Sequence, residues 1–128
     1  MILLLDTHAF LWFVWSDPKL SVYAKTLIED ANNEIYFSAA SAWEIAIKVS
    51  SGKLSLGQEL GEFLQTQIDE NQMTLLPVSI SHSAEVATMS FHHKDPFDRL
   101  LVAQSLVEEV PIISNEVIFD KYGVKRLW

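Results

Sequence analysis

The chain contains no cysteine among its 128 residues, which excludes disulfide bonds, zinc–thiolate centres and cysteine nucleophiles. This absence suits a reducing compartment, and we expect a cytoplasmic protein. No uninterrupted apolar run reaches the roughly 18–20 residues of a membrane span. The apolar N-terminal segment has no basic start and is interrupted by Asp6 and His8. It therefore predicts a buried strand and a helix, and neither a signal peptide nor a membrane contact.

Basic residues are few, because nine Lys and Arg stand against 17 Asp and Glu, and the formal net charge is −8. A non-specific binder of duplex nucleic acid would be basic, so this class is disfavoured. A nuclease is not excluded, because a metal ion neutralises catalytic carboxylates. The charge also suits a basic protein partner. Four basic residues lie close in sequence to acids and are candidate contacts to a phosphate backbone: Lys48, Lys53, Lys94 and Arg99.

Several catalytic motifs are also missing. The sequence has no phosphate-binding loop of the GxxxxGK[ST] type and no GxSxG nucleophile elbow. His92 and His93 are adjacent and lack the i, i+4 spacing of helical zinc ligands, which disfavours a histidine-based metal site. Trp12, Trp15 and Trp43 lie at helical positions among apolar residues. We interpret them as core or dimer-interface residues rather than as a base-stacking platform.

Short apolar runs alternate with stretches of helical periodicity along the chain. The run Ile2–Leu5 is typical of a strand that is buried on both faces. Further strands are predicted over residues 34–37, 74–78, 111–114 and 126–128, with helical spacing between them. This alternation predicts a three-layer α/β/α sandwich with a mainly parallel central sheet. Such sheets bind their ligands beyond the carboxyl ends of the strands.

Four acids lie at or near predicted helix starts, and each has an ordinary structural role open to it. Asp6 is suited to capping the helix that follows the first strand. Glu44 follows Ser41 by three residues, which is the spacing of a capping box. Glu116 could favour the positive end of a short helix that begins near residue 115. A structural role is least evident for Asp98, because Asp95 precedes a proline and is itself the predicted cap of this helix.

Taken together, the four acids suggest a second role. Parallel topology would bring helix starts to one edge of the sheet, where several carboxylates would repel one another and raise each other's pKa. A divalent cation would remove this penalty, and an oxygen-only ligand set suits Mg²⁺, or Mn²⁺ in its place, better than zinc. Capping and metal binding both remain open for each acid taken alone.

The segments that hold these acids resemble the PIN-domain ribonucleases, specifically the VapC-type toxins of type II toxin–antitoxin pairs. The resemblance is carried by LLLDTHAFLW, SAASAWEIAIKVSSGKL, HHKDPFDRLLVAQ and SNEVIFDKYGVKRLW. Their order, their spacing and their flanking residues all agree with the family. Because the resemblance spans essentially the whole chain, we expect one PIN-like nuclease domain over residues 1–128.

The resemblance implies roles for individual residues. Asp6, Glu44 and Asp98 match the three metal-binding and catalytic acids of the family. Glu116 stands where the family usually has an Asp, and Ser114 matches the hydroxyl residue that precedes it. The longer Glu side chain puts direct metal contact at this fourth position in question and suggests contact through water. Asp95 is expected to support the site.

The function implied by the resemblance is that of a divalent-metal-dependent endoribonuclease toxin. Such an enzyme hydrolyses RNA phosphodiester bonds with a metal-activated water. The family also implies a homodimer and a small antitoxin protein that blocks the acidic pocket and often binds DNA.

Three alternatives remain open from the sequence. The first is a catalytically weak PIN-like interaction module, which only the change at Glu116 favours. The second is a magnesium-binding receiver domain of a signalling pathway, although the third predicted strand ends without the aspartate that such a domain phosphorylates. The third is a nuclease of the same architecture that acts on DNA, because composition does not separate the two substrates.

Overall fold

The computed structural model describes all 128 residues, and strands and helices alternate along them. The strands are β1 (Ile2–Leu5), β2 (Glu34–Ser38), β3 (Thr74–Leu76), β4 (Ile112–Ile113) and β5 (Arg126–Leu127). The helices are α1 (Thr7–Val14), α2 (Val22–Glu29), α3 (Ala39–Ser50), α4 (Leu60–Glu70), α5 (Ile80–Thr88) and α6 (Pro96–Glu108). A 3-10 helix at Val117–Tyr122 corresponds to the short helix predicted near residue 115. No helix combines the length and the apolar character that crossing a bilayer requires.

The strands form one sheet in the order β3-β2-β1-β4-β5, and every neighbouring pair is parallel. The predicted α/β/α sandwich is confirmed, with a sheet that is entirely rather than mainly parallel. Central strand β1 pairs with β2 through Leu3 and Ile35, and with β4 through Leu5 and Ile113. Leu3, Leu4 and Leu5 are fully buried, as the continuous apolar run predicted.

The core lies on both faces of the sheet, because successive side chains of a strand point to opposite sides. Leu3 and Leu5 pack in one cluster with residues of α1 to α4, among them Phe10. Leu4 packs on the other side in a cluster with residues of α6 and the 3-10 helix, among them Phe119. Burying a Leu or Phe side chain stabilises a fold by about 1.5–3 kcal/mol. The two clusters therefore fix the sheet between its helical layers.

Two of the predicted helix caps are confirmed. The Asp6 carboxylate accepts a hydrogen bond from the Ala9 amide at 2.7 Å and so caps α1. Asp95 caps α6, where Pro96 occupies the first helical position. Each cap satisfies a backbone amide that has no partner within the helix, which is why both helices begin at these residues.

The capping box predicted for Ser41 and Glu44 is wrong. Helix α3 begins earlier, at Ala39, and its cap is Ser38, whose hydroxyl accepts from the Ala40 amide at 3.0 Å. The Ser41 hydroxyl instead accepts a buried hydrogen bond from the Thr7 hydroxyl at 2.9 Å. Glu44 therefore lies in the second turn of α3, where it does not cap.

The carboxyl ends of three adjacent strands form the edge on which the acids meet. Asp6 directly follows β1, β2 ends at Ser38 and leads into α3, and Ser114 directly follows β4. Because β2, β1 and β4 are neighbours and parallel, these three exits lie side by side. This is the edge at which open parallel sheets bind ligands.

Candidate functional site

Asp6 lies at the centre of this edge and is only 2% exposed. Burial raises the pKa of Asp6 to about 6. Hydrogen bonds from the Ser114 hydroxyl and the Ala9 amide lower this pKa, whereas the negative charges of Glu116 and Glu44 raise it further. The residue is thus a helix cap that also faces two other acids.

Glu44 reaches the same edge from α3 and is 5% exposed. Its Oε2 forms an ion pair with Lys48 Nζ at 3.0 Å, one helical turn away. Its Oε1 is buried and has no hydrogen-bond partner. Leaving a buried polar atom unpaired costs about 1–3 kcal/mol, and more for a charged group. Such atoms are rare in folded proteins, so Oε1 of Glu44 does not help to stabilise the isolated chain.

Asp98 is the third residue of α6, and its side chain is 18% exposed. Its Oδ2 lies 2.7 Å from Nε2 of His93. Burial raises the pKa of Asp98 to about 6, and the hydrogen bond from His93 lowers it. The negative charges of Asp95 and Asp6 raise it further. One carboxylate oxygen of Asp95 accepts the hydrogen bonds that cap α6. Asp95 can therefore hold the start of α6, and with it Asp98, in place.

Glu116 and Ser114 form the fourth side of the edge. Ser114 is fully buried, and its hydroxyl accepts a hydrogen bond from the Glu116 amide at 3.0 Å. Glu116 precedes the 3-10 helix but makes no side-chain capping hydrogen bond. Its carboxylate repels that of Asp6, so it faces the same space. Ser114 thereby connects the backbone of Glu116 to the carboxylate of Asp6.

The fold brings the acids together, but it does not pre-form a metal centre. Asp6 interacts electrostatically with Glu44, Glu116 and Asp98, so the four carboxylates share one edge. No three His, Asp or Glu side chains lie close enough to form a ready-made metal-ion site. Carboxylates without a counter-ion repel one another, which keeps such a group open. Metal binding by these residues stays a prediction.

Two of the predicted phosphate contacts line a cleft beside Glu44. The cleft has a volume of about 240 Å³ and lies between the second half of α3 and the start of α6. Lys48 and Lys53 line one wall of it, and Asp95 and Phe97 line the other. Lys94 is exposed in the segment just before α6. Lys48 and Lys53 therefore lie beside Glu44, and phosphate contact by any of these three lysines stays a prediction.

The position of Arg99 counts against its predicted phosphate contact. Arg99 is 5% exposed, and its Nη1 donates to the Ser90 carbonyl at 2.9 Å and to the Tyr122 hydroxyl at 3.1 Å. Its Nη2 donates to the Val86 carbonyl at 3.4 Å, and the guanidinium lies 4.0 Å from the ring centroid of Phe91. Arg99 therefore holds the segment before α6 in place instead of meeting a substrate.

The tryptophans divide into two groups. Trp12 packs against the core, stacks on His8 with 5.4 Å between ring centroids, and meets Trp128 edge-on. Trp43 is 64% exposed and Trp15 is 44% exposed, so the core interpretation is wrong for these two. A role for them in a dimer interface stays a prediction. His8 contacts the ring of Trp12 and makes no hydrogen bond to a carboxylate.

Two residues at the site were missed from the sequence. The sequence raises only a disfavoured metal-ligand role for His93, whereas the structure places its ring against Asp98. The sequence predicts no role for Tyr122, yet its hydroxyl accepts from the amides of His92 and His93. The only sequence signal for His93 is its position five residues before Asp98, in a segment without periodicity. Nothing in the sequence around Tyr122 indicates its contact.

Comparison with known families gives one match over nearly the whole chain. The profile of the PIN domain family matches residues 3–125, a range that contains all four acids. No curated protein sequence matches this chain. The resemblance drawn from the motifs is thereby confirmed at the level of the PIN domain. The same match removes the receiver-domain alternative.

Solved structures of similar fold cover almost all of the chain. VapBC2 from Rickettsia felis, bound to a DNA fragment from its promoter, has a TM-score of 0.69 and 16% identity, and covers 99% of this chain and 98% of its own. FitAcB from Neisseria gonorrhoeae has a TM-score of 0.67, 17% identity, and coverage of 100% and 97%. VapBC-1 from nontypeable Haemophilus influenzae has a TM-score of 0.69, 15% identity, and coverage of 99% and 97%. At these identities the likeness establishes the fold.

Proposed function

Because the chain belongs to the PIN domain family, we propose that it is a divalent-metal-dependent endoribonuclease and the toxin of a toxin–antitoxin pair. PIN domains are generally nucleases, so the family supports a hydrolase that acts on nucleic acid. RNA as the substrate and Mg²⁺ or Mn²⁺ as the cofactor are the proposed details. The observation that carries the proposal is the buried, unpaired Oε1 of Glu44 on the edge that also holds Asp6 and Asp98.

The residues present fit a hard divalent cation. All candidate ligands are carboxylate oxygens, which Mg²⁺ and Mn²⁺ prefer and zinc does not. Glu44 and Asp98 are each held through one oxygen, by Lys48 and by His93 respectively. This leaves the second oxygen of each carboxylate for a ligand. A cation on this edge would also offset the burial of charge, and the smaller repulsion between the acids, that raise the pKa of Asp6 and Asp98.

In the proposed reaction, the protein mainly positions groups and balances charge. A bound cation would supply a water of lowered pKa and shield the negative charge of the scissile phosphate. The Ala9 amide and the Ser114 hydroxyl hold Asp6 at the junction of β1 and α1. Lys48 holds Glu44 and, with Lys53, lines the cleft along which the RNA backbone would pass. Asp95 keeps the start of α6, and with it Asp98, in place.

Glu116 is proposed as the fourth acid of the site, where it would contact the cation through a water molecule. The side chain is one methylene longer than the Asp that the family resemblance implies there. Its amide is fixed by Ser114, while its carboxylate makes no capping contact and is free to face Asp6. A Glu116→Asp variant tests this role, because the shorter side chain matches the family and should keep or increase the cleavage rate.

A small antitoxin with a basic segment is the proposed partner, and a homodimer is the proposed assembly. The similar structures VapBC and FitAcB are complexes, and the R. felis one is bound to promoter DNA. With a net charge of −8, this chain would attract a basic segment, whose Arg or Lys side chain could take the place of the cation. A structure of the inhibited complex tests the idea, which fails if the antitoxin lies far from Asp6 and Asp98.

The direct test is cleavage of a synthetic RNA by antitoxin-free protein with Mg²⁺, with Mn²⁺ or with a chelator. We expect cleavage with either ion and none with the chelator. Asp6→Asn, Glu44→Gln and Asp98→Asn should each lower the rate at least 100-fold. The matched control is Asp69→Asn, an exposed acid of α4, which should keep the wild-type rate. Wild-type rates in Asp6→Asn or Asp98→Asn would overturn the proposal.

The same experiment decides between the proposed enzyme and a catalytically weak interaction module. The Glu at position 116, where the family usually has an Asp, is the observation that favours the module. A module would bind its partner but cleave neither RNA nor DNA with either ion. Parallel reactions on single-stranded DNA of the same sequence identify a DNA-directed enzyme.

A further inference from the structure

His93 makes the closest side-chain contact to any of the site carboxylates. Its Nε2 lies 2.7 Å from Oδ2 of Asp98, and the two side chains are 25% and 18% exposed. When Asp98 is ionised it only accepts hydrogen bonds, and Nε2 of His93 is then the donor. The structure shows no hydrogen bond at Oδ1 of Asp98. One oxygen is thus fixed by the imidazole and the other is left for a ligand.

The imidazole is itself held by two residues of the 3-10 helix. The Tyr122 hydroxyl accepts hydrogen bonds from the His92 amide at 3.0 Å and from the His93 amide at 2.9 Å. The Phe119 ring packs edge-on against the His93 ring, with 6.1 Å between centroids. These contacts fix both the backbone and the ring plane of His93. They also tie the segment before α6 to the helix that follows Glu116.

We propose that His93, held by Tyr122 and Phe119, is a positioning residue that orients the Asp98 carboxylate toward the cation. Residues that hydrogen-bond to a metal ligand fix its orientation, and their loss commonly weakens metal affinity or activity about 10–100-fold. The inference rests on the proposed function, because it requires a cation at Asp98. In this role, His93 contacts neither the cation nor the RNA and acts only through Asp98.

His92 provides a matched control in the neighbouring position. Its ring contacts the Tyr122 ring edge-on, with 5.0 Å between centroids, and reaches no carboxylate. The two histidines therefore share a sequence context and a contact with Tyr122. They differ in the one feature on which the inference depends, the hydrogen bond to Asp98.

Two substitutions at His93 separate its hydrogen bond from its packing. His93→Phe keeps a ring against Phe119 but removes the donor, whereas His93→Gln keeps an N–H donor of similar reach. Mn²⁺ affinity is measured without RNA by electron paramagnetic resonance, and kcat and KM are measured with RNA at saturating Mn²⁺. We expect His93→Phe to weaken Mn²⁺ binding about 10–100-fold and to lower kcat, with KM for RNA unchanged. His93→Gln should recover part of both losses, and His92→Phe should behave as the wild type.

Tyr122→Phe removes the single oxygen that accepts from the His92 and His93 amides and from Arg99, and so tests whether Tyr122 helps to hold His93. It should shift Mn²⁺ affinity and kcat in the same direction as His93→Phe, but less, because the ring contact remains. Thermal unfolding of each variant confirms that the metal-free fold is intact.

Each result supports or overturns the inference. Wild-type Mn²⁺ affinity and kcat in His93→Phe overturn it, and so does an equal loss in His92→Phe. If His93→Gln loses as much Mn²⁺ affinity and kcat as His93→Phe, and the melting temperature of both variants falls, His93 contributes to stability alone. If the wild-type protein neither binds Mn²⁺ nor cleaves RNA, the proposed function fails and the inference fails with it. If the wild type does both and His93→Phe is unchanged, only the inference fails.

Discussion

Glu44 and Lys48 form a 3.0 Å ion pair one turn apart on α3, and this pair engages only one oxygen of an almost fully buried carboxylate. The other oxygen, Oε1, has no partner. The metal-free protein therefore carries a half-satisfied charge at the edge of its sheet. A cation bound there would supply the missing partner, so stability and metal binding should be linked at this residue.

Replacing Lys48 by Met should expose this link. The variant leaves Glu44 buried without its counter-ion, and we expect the free energy of unfolding to fall by about 1–3 kcal/mol, between the values for surface and buried ion pairs. Saturating Mn²⁺ should restore more stability to Lys48→Met than it adds to the wild type. Urea denaturation with and without Mn²⁺ measures both quantities. Equal Mn²⁺ stabilisation of the two proteins would show that Glu44 is not a ligand.

The buried charge of Asp6 should lower the stability of the metal-free protein, although its side chain caps α1. Asp6→Asn keeps the cap, because an Asn side chain also accepts from the Ala9 amide, and it removes the buried charge. We expect Asp6→Asn to raise the melting temperature of the metal-free protein at pH 8 while abolishing cleavage. Asp6→Ala also removes the cap and should be less stable than Asp6→Asn by about 0.5–2 kcal/mol.

Differential scanning calorimetry at pH 8 and at pH 4 checks the cause of this gain. At pH 4 the folded wild type has a protonated Asp6, so the advantage of Asp6→Asn should largely disappear. A gain of equal size at both pH values would show that charge burial at Asp6 is not responsible.

Stability of the metal-free protein should fall as the pH rises from about 4 to about 6. Burial raises the pKa of Asp6 and of Asp98 to about 6, from the ordinary value of 3.8 that an aspartate has in the unfolded chain. In this interval the folded state keeps protons that the unfolded state has lost, so each group lowers the free energy of unfolding by up to about 1.4 kcal/mol per pH unit. Above about pH 6 both states are ionised and these contributions level off. Urea titrations of wild type and Asp98→Asn measure the slope, which should be smaller in the variant.

Lys53 should contribute to RNA binding through phosphate alone. It is exposed, lines the cleft beside Glu44 and forms no ion pair. We expect Lys53→Ala to reduce the slope of log K against log salt by about 0.7, the value for one contact to a single strand. Lys25→Ala, on the exposed side of α2, is the control and should leave the slope unchanged. Equal slopes in the wild type and both variants would show that Lys53 does not contact an RNA phosphate. Fluorescence anisotropy with an uncleavable RNA gives the binding constants.

The parts of the fold that depend on local pattern could be predicted from the sequence. The continuous apolar run Ile2–Leu5 gave the buried central strand, and Asp95 before Pro96 gave the start of α6. The predicted cap at Ser41 is wrong because Ser38 and Ser41 are both suited to capping and the structure uses Ser38. The choice between them depends on where β2 ends, which is set by its pairing with β1 and β3.

The parts of the site that depend on distant contacts could not be predicted. Arg99 would ordinarily be a surface residue. It is buried because the Val86 and Ser90 carbonyls and the Tyr122 hydroxyl, up to 23 residues away, supply its acceptors. The unpaired oxygen of Glu44 is likewise a property of packing around α3, and no sequence pattern reports it.

Crystals of the antitoxin-free protein grown with Mn²⁺ provide the most direct test, because anomalous scattering locates the ion without assumptions about its ligands. We expect an anomalous peak at the carboxyl ends of β2, β1 and β4, within direct coordination distance of oxygens of at least two of Asp6, Glu44 and Asp98. Glu44 Oε1 should be among those oxygens. No peak at saturating Mn²⁺, or a peak bound only elsewhere on the molecule, would contradict this expectation.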